Sequence, residues 1–132
     1  MARIMGKRVL VVDDDRVIQQ LLEVNLELEG YEVVASASDG KEALEQIAKL
    51  KPDIVILDIM MPKMDGLEVC RRLREDPATA KIPVVLLSAR AQDLDIREGL
   101  DIGASAYLTK PFDPVELLEV VGRLTSGTSA GP

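Results

Sequence analysis

Residues 9–15 read Val9-Leu10-Val11-Val12-Asp13-Asp14-Asp15, an aliphatic run that ends abruptly on three acids. A short apolar run bounded by polar residues fits a strand covered on both faces, the kind found in parallel sheets. Three further runs end the same way: Ile54-Val55-Ile56-Leu57 on Asp58, Val84-Val85-Leu86-Leu87 on Ser88, and Ala106-Tyr107-Leu108-Thr109 on Lys110. As parallel strands of one sheet they would bring these polar groups to a single edge. Ligands of open α/β sheets bind outside the carboxyl ends of the strands. Carboxylates, a hydroxyl and an ammonium converging there suggest a divalent cation and a phosphoryl group.

Helical patterns fill the intervals. A first helix is predicted over residues 15–29, with Ile18, Leu21, Leu22 and Leu28 facing inward and Gly30 as its stop. A more polar strand follows over residues 31–37. The second helix starts at Asp39, with Glu42 three residues on as a capping-box variant and Ala43, Leu44, Ile47 and Ala48 as its apolar face. The third follows Asp65-Gly66 and carries Leu67, Cys70 and Leu73. The fourth, residues 93–102, has the weakest periodicity and is expected to be the least rigid. The fifth has Asp113 as cap, Pro114 at its first position and Glu116 at its third, and buries Leu117, Leu118, Val121 and Leu124.

Strand and helix thus alternate five times, which predicts an α/β, doubly wound (βα)5 sandwich of flavodoxin-like type. The second and fifth strands, with Glu32, Ser36, Ser105 and Thr109, are the polar ones and should form the edges. Right-handed crossovers then give the order 2-1-3-4-5, which sets Asp13, Asp14 and Asp58 side by side. Residues 7–124 make one domain, preceded by a short tail at 1–6. The Ser/Thr/Gly/Pro-rich residues 125–132 are expected to be a flexible tail or the start of a linker.

Composition narrows the chemistry. Of 132 residues 47% are hydrophobic, and only Tyr31, Tyr107 and Phe112 are aromatic, so the core is aliphatic. The net charge is −7, and no basic cluster exists beyond residues 3–8, which argues against direct nucleic-acid binding. A single cysteine, Cys70, allows no intrachain disulfide, fits a reducing cytoplasm, and reads as a small buried hydrophobe. No apolar run approaches the roughly 18 residues of a membrane span. The chain has no histidine, which excludes Ser-His-Asp and Cys-His catalysis and HExxH zinc sites. The remaining hard carboxylates favour Mg²⁺, with Mn²⁺ also possible. A carboxylate can itself accept a phosphoryl group, while an ammonium and a hydroxyl hold its oxygens.

The segment Leu57-Asp58-Ile59-Met60-Met61-Pro62-Lys63-Met64-Asp65-Gly66, together with VVDDD at 11–15, SAR at 88–90 and YLTKPF at 107–112, resembles the receiver domain of two-component response regulators, the chemotaxis regulators among them. The resemblance covers residues 7–124. It implies that Asp58 is the phosphoacceptor. Asp14, Asp58 and the backbone carbonyl of Met60 would bind Mg²⁺ directly, and Asp13 through water. Ser88 and Lys110 would hold the phosphoryl oxygens, and Lys110 would pair with Asp58 beforehand. Ser88 and Tyr107 would form the switch, and the bond before Pro111 would be cis. A sensor histidine kinase or phosphotransfer protein would supply the phosphate. The domain would catalyse its own phosphorylation and dephosphorylation, without turning over an external substrate. The fourth helix, fifth strand and fifth helix would present the readout surface to a downstream target or output domain. Met60 and Arg90 occupy positions that tune hydrolysis in the family. Winged-helix regulators carry an acidic pair before the switch tyrosine and an arginine in the fifth helix. Here Ser105-Ala106 and Val120 stand in those places, so a monomer is expected.

The competing reading is an enzyme. Asp13-Asp14-Asp15-Arg16-Val17 fits the DxDxV motif of haloacid-dehalogenase-type Mg²⁺ phosphatases, with Asp13 and Asp15 as the working pair. That family needs a further acidic pair beyond its lysine. After Lys110 only Asp113, Glu116 and Glu119 follow, and they read as helix cap and helix surface.

Overall fold

The computed structural model describes residues 6–89 and 93–126, without the side chains of residues 93–96. In chain order it comprises β1 (Arg8–Val12), α1 (Arg16–Leu28), β2 (Glu32–Ala37), α2 (Gly40–Leu50), β3 (Ile54–Asp58), α3 (Gly66–Glu75), β4 (Val84–Ser88), α4 (Asp93–Ile102), β5 (Ala106–Thr109) and α5 (Pro114–Ser126). All paired strands are parallel, in the predicted order β2-β1-β3-β4-β5.

Alternation along each strand splits the core into two layers. Leu10, Val12, Val55, Leu57, Val84 and Leu86 face α2 and α3, where Ala43, Ile47, Val69, Cys70 and Leu73 close over them. Val9, Val11, Ile54, Ile56, Val85 and Leu87 face the other way, against Leu22 and Leu26 of α1 and Leu117 and Val121 of α5. Strands β3 and β4 are buried at every residue, whereas β2 and β5 are mixed. This is the polarity difference that marked the edges.

The structure corrects the phase of α1. Leu21 is 47% and Leu28 79% exposed, on an outward stripe with Val17 and Val24. The inward face is Gln19, Leu22 and Leu26. Helix α1 is apolar on two sides, so periodicity alone cannot choose between them. The choice goes to the face whose Gln19 can bond to the sheet. On α2, Ala48 proves exposed, and Leu50 packs against the core instead. Gly30, at φ +96°, ends α1 as expected.

The expected tail also starts later. Helix α5 continues through Ser126, and the buried Thr125 donates its hydroxyl to the Val121 carbonyl (2.8 Å). Burial of Thr125 on the inward face of α5, rather than its propensity, keeps this last turn helical. Residues 1–5 and 127–132, where the tails were expected, lie outside the described residues, as does Arg90.

Candidate functional site

Strand register assembles the site. Val12 pairs with Leu57, so the residues that follow, Asp13 and Asp58, lie side by side. Asp58 pairs with Leu87 and Ser88 with Thr109, which brings Ser88 and Lys110 to the same edge. Asp13 is fully buried, Asp58 is 2% exposed and Ser88 4% exposed. Asp14 is exposed, at the mouth.

Lys110 spans the two buried carboxylates. Its Nζ lies 2.9 Å from Asp13 Oδ2 and 3.2 Å from Asp58 Oδ2. The pairing with Asp58 is the expected one; the shorter contact to Asp13 was not anticipated. Asp13 Oδ1 accepts from the Asp15 N–H (2.9 Å), so both its oxygens have protein partners. Asp58 Oδ1 accepts from the Met60 N–H at 3.3 Å. The Lys110-Pro111 bond is cis.

The charges are unbalanced. Burial, and then the neighbouring Asp13 charge, push Asp58 up to about 6, against the pull of Lys110. Burial opposes the charge on Lys110, yet its hydrogen bond to Asp13 and the two carboxylate charges hold its pKa above the usual value. One oxygen each from Asp13, Asp14 and Asp58 lies within 4.8 Å of the others. This is an all-oxygen donor set with surplus negative charge, suited to a hard divalent cation.

Three strand ends turn into their helices through an aspartate cap. Asp15 accepts from Val17 N–H, Asp39 from Glu42 N–H and Asp65 from Glu68 N–H. Asp15 is thereby spent on the start of α1. Gly66 has a second duty that its place in a turn did not reveal. A Cβ there would come within 2.3 Å of the Asp58 carbonyl oxygen, so the loop can close on the site only with glycine. Gln19 was also overlooked. It is 5% exposed and reaches the loops after β1 and β2. The amide pair Gln19-Gln20 between Ile18 and Leu22 was the available signal, without showing which of the two turns inward. Met60 and Tyr107 are 67% and 42% exposed. Tyr107 lines a surface groove of about 490 Å³ with Leu100, Val120 and Arg123, between α4, β5 and α5.

Residues 9–122 match the response regulator receiver domain. The chain belongs to this family. It is 47% identical over 113 residues to the alkaline phosphatase synthesis transcriptional regulatory protein PhoP of Bacillus subtilis, covering 86% of this chain and 46% of that protein. It is 50% identical over 121 residues to the response regulator PleD of Caulobacter vibrioides, covering 92% of this chain and 26% of PleD. The receiver chain thus spans less than half the length of these two relatives. A solved putative response regulator from Chloroflexus aurantiacus J-10-fl shares 39% identity at a TM-score of 0.87, over 92% of this chain and 98% of that one. A chain of the CheX-CheY-BeF3-Mg+2 complex from Borrelia burgdorferi shares 31% at 0.84, over 91% and 90%. The membership decides between the two readings of the acidic run: this is a receiver domain, not a dehalogenase-type phosphatase. Among the described residues, no helix is long and apolar enough to cross a membrane.

Proposed function

We propose that Asp58 is the phosphoacceptor of a Mg²⁺-dependent signalling switch. The observation that carries this is the buried Asp58 carboxylate, held between Lys110 at 3.2 Å and the oxygens of Asp13 and Asp14. Asp14, Asp58 and the Met60 carbonyl would ligate the cation directly. Asp13 would act through water. When bound, Mg²⁺ offsets the surplus charge and neutralises phosphoryl oxygens.

The donor is a phosphohistidine on a sensor kinase or phosphotransfer protein. A carboxylate oxygen of Asp58 attacks phosphorus, the P–N bond breaks, and the imidazole leaves with the electron pair. Lys110 already faces the nucleophile, so it meets the incoming negative charge without rearrangement. Ser88 receives another phosphoryl oxygen and moves toward it, and Tyr107 turns inward behind it. The face formed by α4, β5 and α5 then changes for a downstream target or output domain. Hydrolysis of the acyl phosphate, assisted by the same groups, resets the domain. The net charge of −7 and the lack of a basic patch support a protein partner rather than nucleic acid at this face. The lack of disulfides fits the cytoplasm.

The phosphatase alternative fails on geometry as well. Asp15, the second acid of that motif's working pair, is committed to capping α1. Beryllofluoride with Mg²⁺ tests the proposal by amide NMR. Saturable shifts at Asp58, Ser88 and Tyr107, lost in Asp14→Asn, are expected. Equal binding by Asp14→Asn, or none by the wild type, would refute it.

A further inference from the structure

Asp14 carries the most demanding assignment in the site with the least visible support. Its carboxylate is exposed and bonds to none of the described residues. Its aim must therefore come from the main chain, that is, from the two peptide units on either side of it. The unit after Asp14 is pinned, because the Asp15 N–H donates to Asp13 Oδ1 (2.9 Å). The unit before it contains the Asp13 carbonyl, which accepts from Gln19 Nε2 at 2.5 Å.

Gln19 does more than satisfy one carbonyl. The same Nε2 lies 3.0 Å from the Ala37 carbonyl oxygen and 3.3 Å from Ser38 Oγ. Ala37 also accepts from the Asp13 N–H (3.0 Å). One buried amide thus joins α1 to the loops leaving β1 and β2, and its two hydrogens serve three oxygens. Burying a polar side chain on the inward face of a helix is costly unless every bond is made. An apolar residue would pack there more simply, with Leu22 and Leu26 continuing the same face.

We propose that Gln19 is a positioning residue for the metal ligand Asp14. It acts by fixing the Asp13–Asp14 peptide plane and touches neither the cation nor the phosphoryl group. The inference rests on the metal assignment above, and its test separates the two.

Gln19→Met keeps length and apolar packing but removes both donors. Thr79→Val serves as the control. Thr79 is 4% exposed and donates to the Leu73 carbonyl at 2.8 Å, so its loss is also a buried hydrogen bond, but one at the far end of α3. Two readouts are taken on the metal-free fold and during a titration with MgCl2. Hydrogen exchange at the Asp13 and Asp15 amides, which donate to the Ala37 carbonyl oxygen and Asp13 Oδ1, is expected to quicken about tenfold in Gln19→Met relative to Thr79→Val at matched global stability. The Mg²⁺ dissociation constant, read from amide shifts, is expected to rise about tenfold in Gln19→Met and stay at the wild-type value in Thr79→Val. Should Gln19→Met not fold, Gln19→Asn retracts the same amide by one methylene and is expected to move both readouts the same way by less.

Wild-type exchange at both amides in a folded Gln19 variant would overturn the proposal. So would an equal loss of Mg²⁺ affinity in Thr79→Val, which would mark a general effect of stability. If the wild type shows no saturable Mg²⁺ binding, the metal assignment falls, and the exchange rates alone decide whether Gln19 orders the loop.

Discussion

Helices α1 and α4 both start beside the site, and they are fastened differently. Helix α1 begins with the Asp15 cap and is tied to the strand ends by Gln19 within its first turn. Helix α4 is secured at the end far from Ser88. There, Arg74 of α3 donates to the Gly103 carbonyl (2.9 Å), and it also holds the α3–β4 loop through the carbonyls of Ala80 (3.2 Å) and Ile82 (2.8 Å). Part-way along, Gly99 leaves no room for a Cβ, which would lie 2.3 Å from Leu86 Cδ1, and Glu98 faces Arg71 at 3.8 Å. The carboxylates therefore stand beside a helix fixed where the chemistry is. Among the described residues, the side-chain anchors of α4 lie toward its C-terminal end. On the switch reading proposed above, the domain needs a rigid ligand set and a second element that can take another position.

The largest break in this contrast is a core truncation. Leu22, fully buried under β1, should cost about 2–5 kcal/mol when cut to alanine, while Leu100→Ala on the half-exposed α4 should cost less than about 1 kcal/mol. Urea unfolding of both variants checks the pair. Equal losses would mean that α4 is packed as firmly as α1.

Asp58 comes next, with a sign opposite to that of most site mutations. Its folded pKa of about 6 lies above its ordinary 3.8, so protonation favours the folded state. That contribution is complete below about pH 3.8 and is lost as the pH rises through about 6. At pH 7.5 the metal-free wild type carries a destabilising charge. Asp58→Asn should therefore be more stable by roughly 1–3 kcal/mol, with the gain fading as the pH falls to about 4. Saturating Mg²⁺ should stabilise the wild type alone and narrow the gap. Thermal unfolding across pH, with and without MgCl2, reads both effects.

Arg74→Met sharpens the comparison at the α4 end. Loss of a donor to three carbonyls should cost about 1–2 kcal/mol and speed exchange at Gly103 and Ala104, with Asp15 unchanged. The smallest expected effect is at the surface. Arg72 meets Glu68 one turn away at 3.0 Å with both side chains exposed, and Arg72→Ala should shift stability by no more than about 0.5 kcal/mol.

Much of this was legible in the sequence because one physical cause governed each feature. Continuous apolar runs marked β1, β3 and β4, and their polar ends marked Asp13, Asp58 and Ser88, as the end of the more polar β5 marked Lys110. Cap residues located α2, α3 and α5. The orientation of α1 was not legible, because Leu21 and Leu28 are as hydrophobic as Leu22 and Leu26. Three-dimensional hydrogen bonding by Gln19 broke the tie. The contact between Lys110 and Asp13 and the closeness of Gly66 to Asp58 depend on how loops fold back, which spacing does not encode. Thr125 looked like tail by composition and is helix because it is buried on the inward face of α5.

The most direct test of the central claim is to locate the phosphoryl group. The protein is incubated with acetyl phosphate and MgCl2, its intact mass is followed, and the modified residue is mapped by peptide mass spectrometry. One phosphoryl group on Asp58, absent without Mg²⁺ and absent in Asp58→Asn, is the expected result. Modification at Asp13, or undiminished phosphorylation of Asp58→Asn, would contradict it.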